Sequence, residues 1–529
     1  MLNFHSNSTA MISINKIKTV GFALLLTVGC TGDFEDINTN PNATLLGQIK
    51  ASGMFEPLLY NGANAWLNYT WFWNNELIQF TAFTGGTTRQ EHRYSISESN
   101  WSNVWNMYGR YGNNVSHMYE LSVEQEDVSL QAIAMTLKVM YMSNLTDIFG
   151  DIPYTEAFQA RQADGILKPK FDSQEEVYRQ LFEALETAND LYATNPEFLK
   201  PALDGMYGGD MEQWRKFNNS LYLRLLCRVS GRSEMGTAAK MTEILNNPSR
   251  YPIFTSNADN ATVIFSGSDP YRNEFALTNE GDFTSSGRKL TEQLIKMTVV
   301  TSSTGAQTYT DPRLPIIGKK NPGNNVWKGT VAGCTPEEQG EVDRGTSWLN
   351  AAVFCRPDAP GWFMDYAEVQ FIFAEAALKG DIPGGESAAE GYYSSAIRAS
   401  MEKWSEYGEY SETPVTISNS DIDTFLDSEL ASWNDATDKE ELIANQKYLA
   451  LFWVGMEAYH EYRRTGYPEL TIGNGTVYND FILPTRFAYP NTTMATNNDH
   501  AREALDRMGG ENNMKTPVWW SKQAIEGGN

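Results

Sequence analysis

The chain has 529 residues, 41 basic against 66 acidic, and a net charge of -25. That balance argues against a nucleic-acid surface or a polybasic membrane patch, both of which run on clustered Lys and Arg. With 41% apolar and 20% charged residues the chain has enough apolar side chains for a sizeable core, and with 12% aromatics it has an unusual supply of flat rings.

In chain order, the first feature is an export signal. Lys16 and Lys18 precede an apolar run, Val20–Val28, that is far shorter than the ~20 residues of a membrane span. Residues 1–10 add nothing signal-like, which also allows a start at Met11. The run ends Thr27-Val28-Gly29-Cys30, a small residue directly before a Cys. This resembles a bacterial lipobox, although Leu is usual where Thr27 stands. It predicts a signal peptide over 1–29, lipid on Cys30 and an acidic tether over 30–45, with lipid as the only anchor. The remaining chain, 46–529, reads as a single domain.

Apolar periodicity predicts helices over 127–146, 174–193, 210–230, 363–379, 388–404 and 440–464. The segments 46–84 and 99–120 read as helical too, though rich in Trp and Asn. Ser173 and Glu176 form a capping-box pair, and Gly466 with Pro468 stops the 440–464 helix. Residues 260–362 carry much Gly, Pro, Ser, Thr and Asn without periodicity, which predicts an irregular, loop-dominated region with few strands.

Catalytic constellations fail one by one. The five His include no HExxH pair, and neither a GxSxG elbow nor a P-loop occurs. Asp36-Ile37-Asn38 starts like a calcium loop, but Pro41 and Gly47 stand where Gly and Glu are needed. No CxxC or Cys/His cluster suggests zinc. Cys227 reads as a buried thiol; Cys334 and Cys355 flank one loop, and both a disulfide and two free thiols stay open. Glu368 and Glu375 share one helix face about 10.5 Å apart at 1.5 Å per residue. In an otherwise apolar helix they read as structural, accepting hydrogen bonds from neighbouring loops or pairing with Arg, rather than as a glycosidase pair, and Glu457 with Arg464 reads as interhelical packing. No catalytic residue, metal or cofactor is expected.

The aromatics read as a binding surface. Trp71, Phe72 and Trp73 are adjacent, so they cannot all enter one core from one helix. An indole buries the apolar face of a sugar at small entropic cost, with Asn, Gln and Arg serving the hydroxyls. The candidates are Trp71 and Trp73, Arg89 and Gln90 in the next loop, and Tyr271, Phe283, Trp327, Trp348 and Trp362 in or beside the irregular region. Trp71 or Trp73 is expected to form one platform with Tyr271, Trp327 and Trp348.

Six segments then carry a resemblance. They are Asp33-Phe-Glu-Asp-Ile-Asn-Thr-Asn-Pro-Asn-Ala43, Asp147-Ile-Phe-Gly-Asp-Ile-Pro-Tyr-Thr-Glu-Ala157, Tyr366-Ala-Glu-Val-Gln-Phe-Ile-Phe-Ala-Glu-Ala376, Gln446-Lys-Tyr-Leu-Ala-Leu-Phe452, Arg463-Arg-Thr-Gly-Tyr-Pro468 and Pro484-Thr-Arg-Phe-Ala-Tyr-Pro490. In this order the chain resembles the SusD/RagB family of Bacteroidetes outer-membrane nutrient-binding lipoproteins. The resemblance implies an all-α, SusD-like fold of tetratricopeptide-type helix pairs decorated by long loops. It implies a non-catalytic cell-surface binder of an oligosaccharide, delivered to a SusC-like TonB-dependent transporter, with an oligopeptide as the alternative ligand and a secreted hydrolase as the remote one. The recurring segments look like scaffold, and no ligand residue transfers by position.

Overall fold

The computed structural model describes residues 49–527, apart from 87–88, 162–164 and 285. The signal, Cys30, the tether and the segment 33–43 lie outside the described residues. The body is helical. Helix Val128–Phe149 packs against Gln174–Ala193, which packs against Met211–Arg228, and Tyr366–Lys379 packs along Gly385–Tyr407. These are antiparallel neighbours joined by loops, and their apolar faces form one continuous core. No helix of the described residues is long and apolar enough to cross a membrane.

The expected helices are present with shifted ends and three corrections. The 46–84 segment divides into helix Ala51–Tyr69, a π-turn Thr70–Asn74, a helical turn Asn75–Leu77 and a strand Thr81–Phe83. The 363–379 helix begins only at Tyr366, because Gly361–Met364 is a strand paired antiparallel with Ala261–Val263. The 440–464 helix is two, Lys439–Ala450 and Glu457–Thr465. The break is chemical. Gly455 sits at φ 55°, where a Cβ would stand 2.3 Å from Trp66 Nε1, and its carbonyl accepts a 3.1 Å hydrogen bond from Thr70 Oγ1. Only Gly fits so close an approach in that conformation.

The irregular region carries more pairing than its composition suggests. Thr81–Phe83, Arg288–Leu290, Trp348–Leu349 and Gly318–Lys319 form one antiparallel sheet in that order, and Val299–Thr301 pairs with Gln307–Thr310. Each strand has two to four residues. Strands this short leave no period of alternation to read.

The recurring segments converge on one junction. Asp147 accepts from Tyr178 Oη at 2.5 Å and Trp520 Nε1 at 2.8 Å. Arg463 donates to the carbonyls of Asp147 and Thr485, Phe487 N to the Ile148 carbonyl, and Tyr489 Oη to the Asp151 carbonyl. Segments 147–157, 463–468 and 484–490 are thus three sides of one buried hydrogen-bonded corner. At the start of Gln174–Ala193, Ser173 caps the Glu176 amide at 3.2 Å.

The carboxylates in the Tyr366–Lys379 helix are tied to cations. Glu368 takes Arg224 bidentately at 2.6 and 2.5 Å, and Arg224 and Arg228 both pair with Glu457. Glu375 takes Arg464 at 2.7 and 2.5 Å and Lys379 at 2.7 Å. Burial alone would raise the Glu375 carboxyl, but Arg464 and Lys379 outweigh it and hold it well below the usual range. Cys227 is buried beside Glu375 and Glu461, and burial pushes its thiol up to about 11. Lys447 and Arg464 occupy the acceptors of that cluster. Cys334 and Cys355 are separate free thiols, the first with Sγ 3.7 Å from Gln339 Oε1.

Candidate ligand-binding site

The site grows from two helices that each end in a π-turn. Helix Ala51–Tyr69 runs into Thr70–Asn74, and helix Glu98–Met107 into Tyr108–Gly112. A π-turn adds one residue to the turn and rephases everything after it, and such turns recur at functional sites. Here the first sends Trp71 inward and leaves Phe72 and Trp73 beside a cavity of about 930 Å³; the second brings Arg110 and Tyr111 to the same space. Tyr111 Oη ties the two helices by donating to the Asn61 carbonyl at 2.9 Å.

The lining is aromatic on one side and amide-rich elsewhere. Tyr69, Phe72, Trp73 and Tyr111 supply the rings; Tyr69 and Trp73 lie 5.2 Å apart. Helix Ala51–Tyr69 contributes Asn61, Asn64 and Asn68, and helix Glu98–Met107 contributes Asn100, Asn103 and Asn106. Arg89 lies 4.0 Å over the half-buried Phe72 ring. Its burial, then the nearby Arg288, lower its proton affinity, while guanidinium chemistry keeps it charged.

Glu91 is the unusual acid. It is 3% exposed and lines the cavity. Oε1 accepts from Asn100 at 3.3 Å, and Oε2 is buried with no hydrogen-bond partner. Burial raises its carboxyl to about 7 against the pull of Arg288, which is already engaged with Glu76 at 2.6 Å. The adjacent His92 is buried and neutral, pushed down to about 3 by burial, and its Nδ1 accepts from the Gly333 amide at 3.1 Å.

The structure brings together only part of the expected platform. Trp73, itself buried, and the half-buried Arg89 line the cavity. Trp71 does not: it is fully buried, stacked on Phe283 at 4.4 Å with Arg288 over its ring at 4.2 Å. Phe283 is therefore core as well. Tyr271 stacks on Tyr60 at 4.7 Å, away from the lining. Trp327 is buried, Trp348 is half-buried on its strand with Lys289 5.8 Å over the ring, and Trp362 is buried edge-on to Tyr407 at 5.0 Å. None of Tyr271, Trp327, Trp348 and Trp362 lines the cavity. Gln90 precedes the Glu91–Arg93 turn and pairs with Ser95. Sequence reasoning missed Phe72, Glu91, Arg110 and the asparagine rows. The rows had a signal, Asn at i, i+3 and i+7 or i+6 inside helices that disfavour it.

A family model described as starch-binding associating with outer membrane matches residues 41–490. The chain belongs to the SusD-like family. SusD-like proteins are outer-membrane-associated binding proteins rather than enzymes, and the helical fold agrees with solved members. A chitin-binding protein superposes with a TM-score of 0.74 at 25% identity, over 89% of this chain and 99% of its own. A SusD homolog of Bacteroides fragilis gives 0.73 at 25% identity over 89% and 100%. A chitin-binding SusD homolog from Flavobacterium johnsoniae gives 0.69 at 22% over 89% and 98%. No curated protein matches the chain.

Proposed function

We propose that this SusD-like chain is a cell-surface lipoprotein that captures an oligosaccharide in the cavity between helices Ala51–Tyr69 and Glu98–Met107 and passes it to a SusC-like TonB-dependent transporter. The observation that carries the ligand class is the lining: the half-buried Phe72 ring with Arg89 over it, beside six asparagines. Aromatic faces match the C–H faces of sugar rings, and primary amides match hydroxyls in both donating and accepting senses. The chitin-binding relatives support a glycan, and amino-sugar oligomers belong in any first panel. Anchoring rests on Cys30 and the apolar run before it. Hydrolysis finds no support in Glu368 and Glu375, since both are held by arginines inside the fold.

The test is calorimetric titration of the full chain in detergent with glucan, chitin-type and galactan oligosaccharides, and with oligopeptides. Saturable binding of a glycan, lost in Phe72→Ala without a change in melting temperature, is expected. Binding of peptides alone would replace this reading with the oligopeptide one.

A further inference from the structure

Asn is a poor residue for a helix interior, because its side chain competes for backbone hydrogen bonds and favours caps and turns. Yet three stand in helix Ala51–Tyr69 and three in helix Glu98–Met107, and all six line one cavity. Asn61, Asn64 and Asn68 fall at i, i+3 and i+7, one face of their helix; Asn100, Asn103 and Asn106 advance one turn at a time along theirs. Only part of this amide chemistry is used internally. Asn68 Nδ2 donates to the Asn64 carbonyl at 2.8 Å, Asn64 Oδ1 accepts from the Phe275 amide at 3.4 Å, and Asn100 serves Glu91. Asn61, Asn103 and Asn106 are exposed, and among the described residues their side chains have no hydrogen-bond partner.

We propose that the two asparagine rows are the specificity-determining element of the site, and that they select an uncharged, linear glycan segment of two to three rings. This rests on the glycan reading above and deepens it. Each free amide presents two donors and one acceptor without charge. A sugar hydroxyl, which donates and accepts, satisfies such a group; a carboxylate or sulfate offers it acceptors only. The charged groups of the lining are of both signs, Arg89 and Arg110 beside Glu274 and Glu91, so the discrimination falls to the amides. At 1.5 Å of rise per residue the rows run about 10 Å and 9 Å, the length of a di- to trisaccharide. Longer chains leave the cavity without meeting further rows.

The experiment titrates the full chain in detergent with linear oligosaccharides of one to six units. Neutral glucose, galactose and N-acetylglucosamine series are compared with oligogalacturonate. Affinity should climb to the trimer and then level off, and oligogalacturonate should bind at least tenfold more weakly. Asn61→Ala with Asn103→Ala should weaken the best neutral trimer about tenfold at an unchanged melting temperature, Ala being the better helix former. Asn103→Asp, nearly isosteric, should weaken it similarly. A neutral trimer that binds, is lost in Phe72→Ala and is indifferent to all the Asn variants would overturn the inference while leaving the glycan reading intact. Equal or tighter binding of oligogalacturonate would overturn it too. No glycan binding at all would sink both.

Discussion

Glu91→Gln should stabilise the folded chain at neutral and alkaline pH, and the gain should vanish in acid. The carboxyl is buried, one oxygen has no partner, and its folded pKa stands near 7 against an ordinary value of 4.5. The folded chain therefore holds this proton more tightly than the unfolded chain. Stability falls as pH climbs from about 4.5 through about 7, and the full cost is present above that. At 1.36 kcal/mol per tenfold change in proton affinity the cost is on the order of 3 kcal/mol, undiminished by solvent because the residue is 3% exposed. Gln keeps the acceptor for Asn100 and carries no charge at any pH. Urea unfolding of wild type and variant, in parallel from pH 5 to pH 8, should show their stability difference growing by about 2 to 3 kcal/mol in favour of the variant. A difference that stays flat, or grows in favour of wild type, would refute the claim that an unpaired buried carboxylate stands in the cavity wall.

Three further outcomes are expected. Trp71→Ala should cost about 3–5 kcal/mol of stability, and any loss of ligand affinity should track unfolding, since Trp71 is core; a stable variant that no longer binds would contradict its placement. Arg224→Met leaves Glu368 buried without its cation and should cost about 3–5 kcal/mol in chemical denaturation, partly recovered by adding Glu368→Gln. Cys30→Ala should move the protein from the membrane to the soluble fraction in cells lacking the transporter, and continued membrane association there would rule out the lipid anchor.

Long elements were legible because periodicity over several turns has one solution. The 174–193 helix starts at the Ser173 cap and runs as far as its apolar stripe. The junctions were not legible, because they turn on tertiary contacts. Trp66 against Gly455 splits the 440–464 segment, and nothing local to residues 451–456 announces Trp66 as the neighbour. The site was half legible for the same reason. Adjacency of Trp71, Phe72 and Trp73 required that they diverge, but the π-turn decides which goes inward, and it sends Trp71 to Phe283. Loop aromatics such as Trp327 and Trp362 looked free of helical packing, yet both are buried, Trp362 on the short strand Gly361–Met364. The asparagine rows were countable in the sequence, and their meaning appeared only when two helices brought them to one cavity.

The central claim is that ligand lies between helices Ala51–Tyr69 and Glu98–Met107. A crystal structure of the protein with the tightest oligosaccharide from the titrations tests it most directly. A sugar ring is expected against the Phe72–Arg89 stack, with hydroxyls within hydrogen-bond distance of Arg89 and of asparagines from both helices. Well-ordered sugar seated elsewhere, such as against Trp348 or Tyr271, with this cavity holding only water, would contradict it.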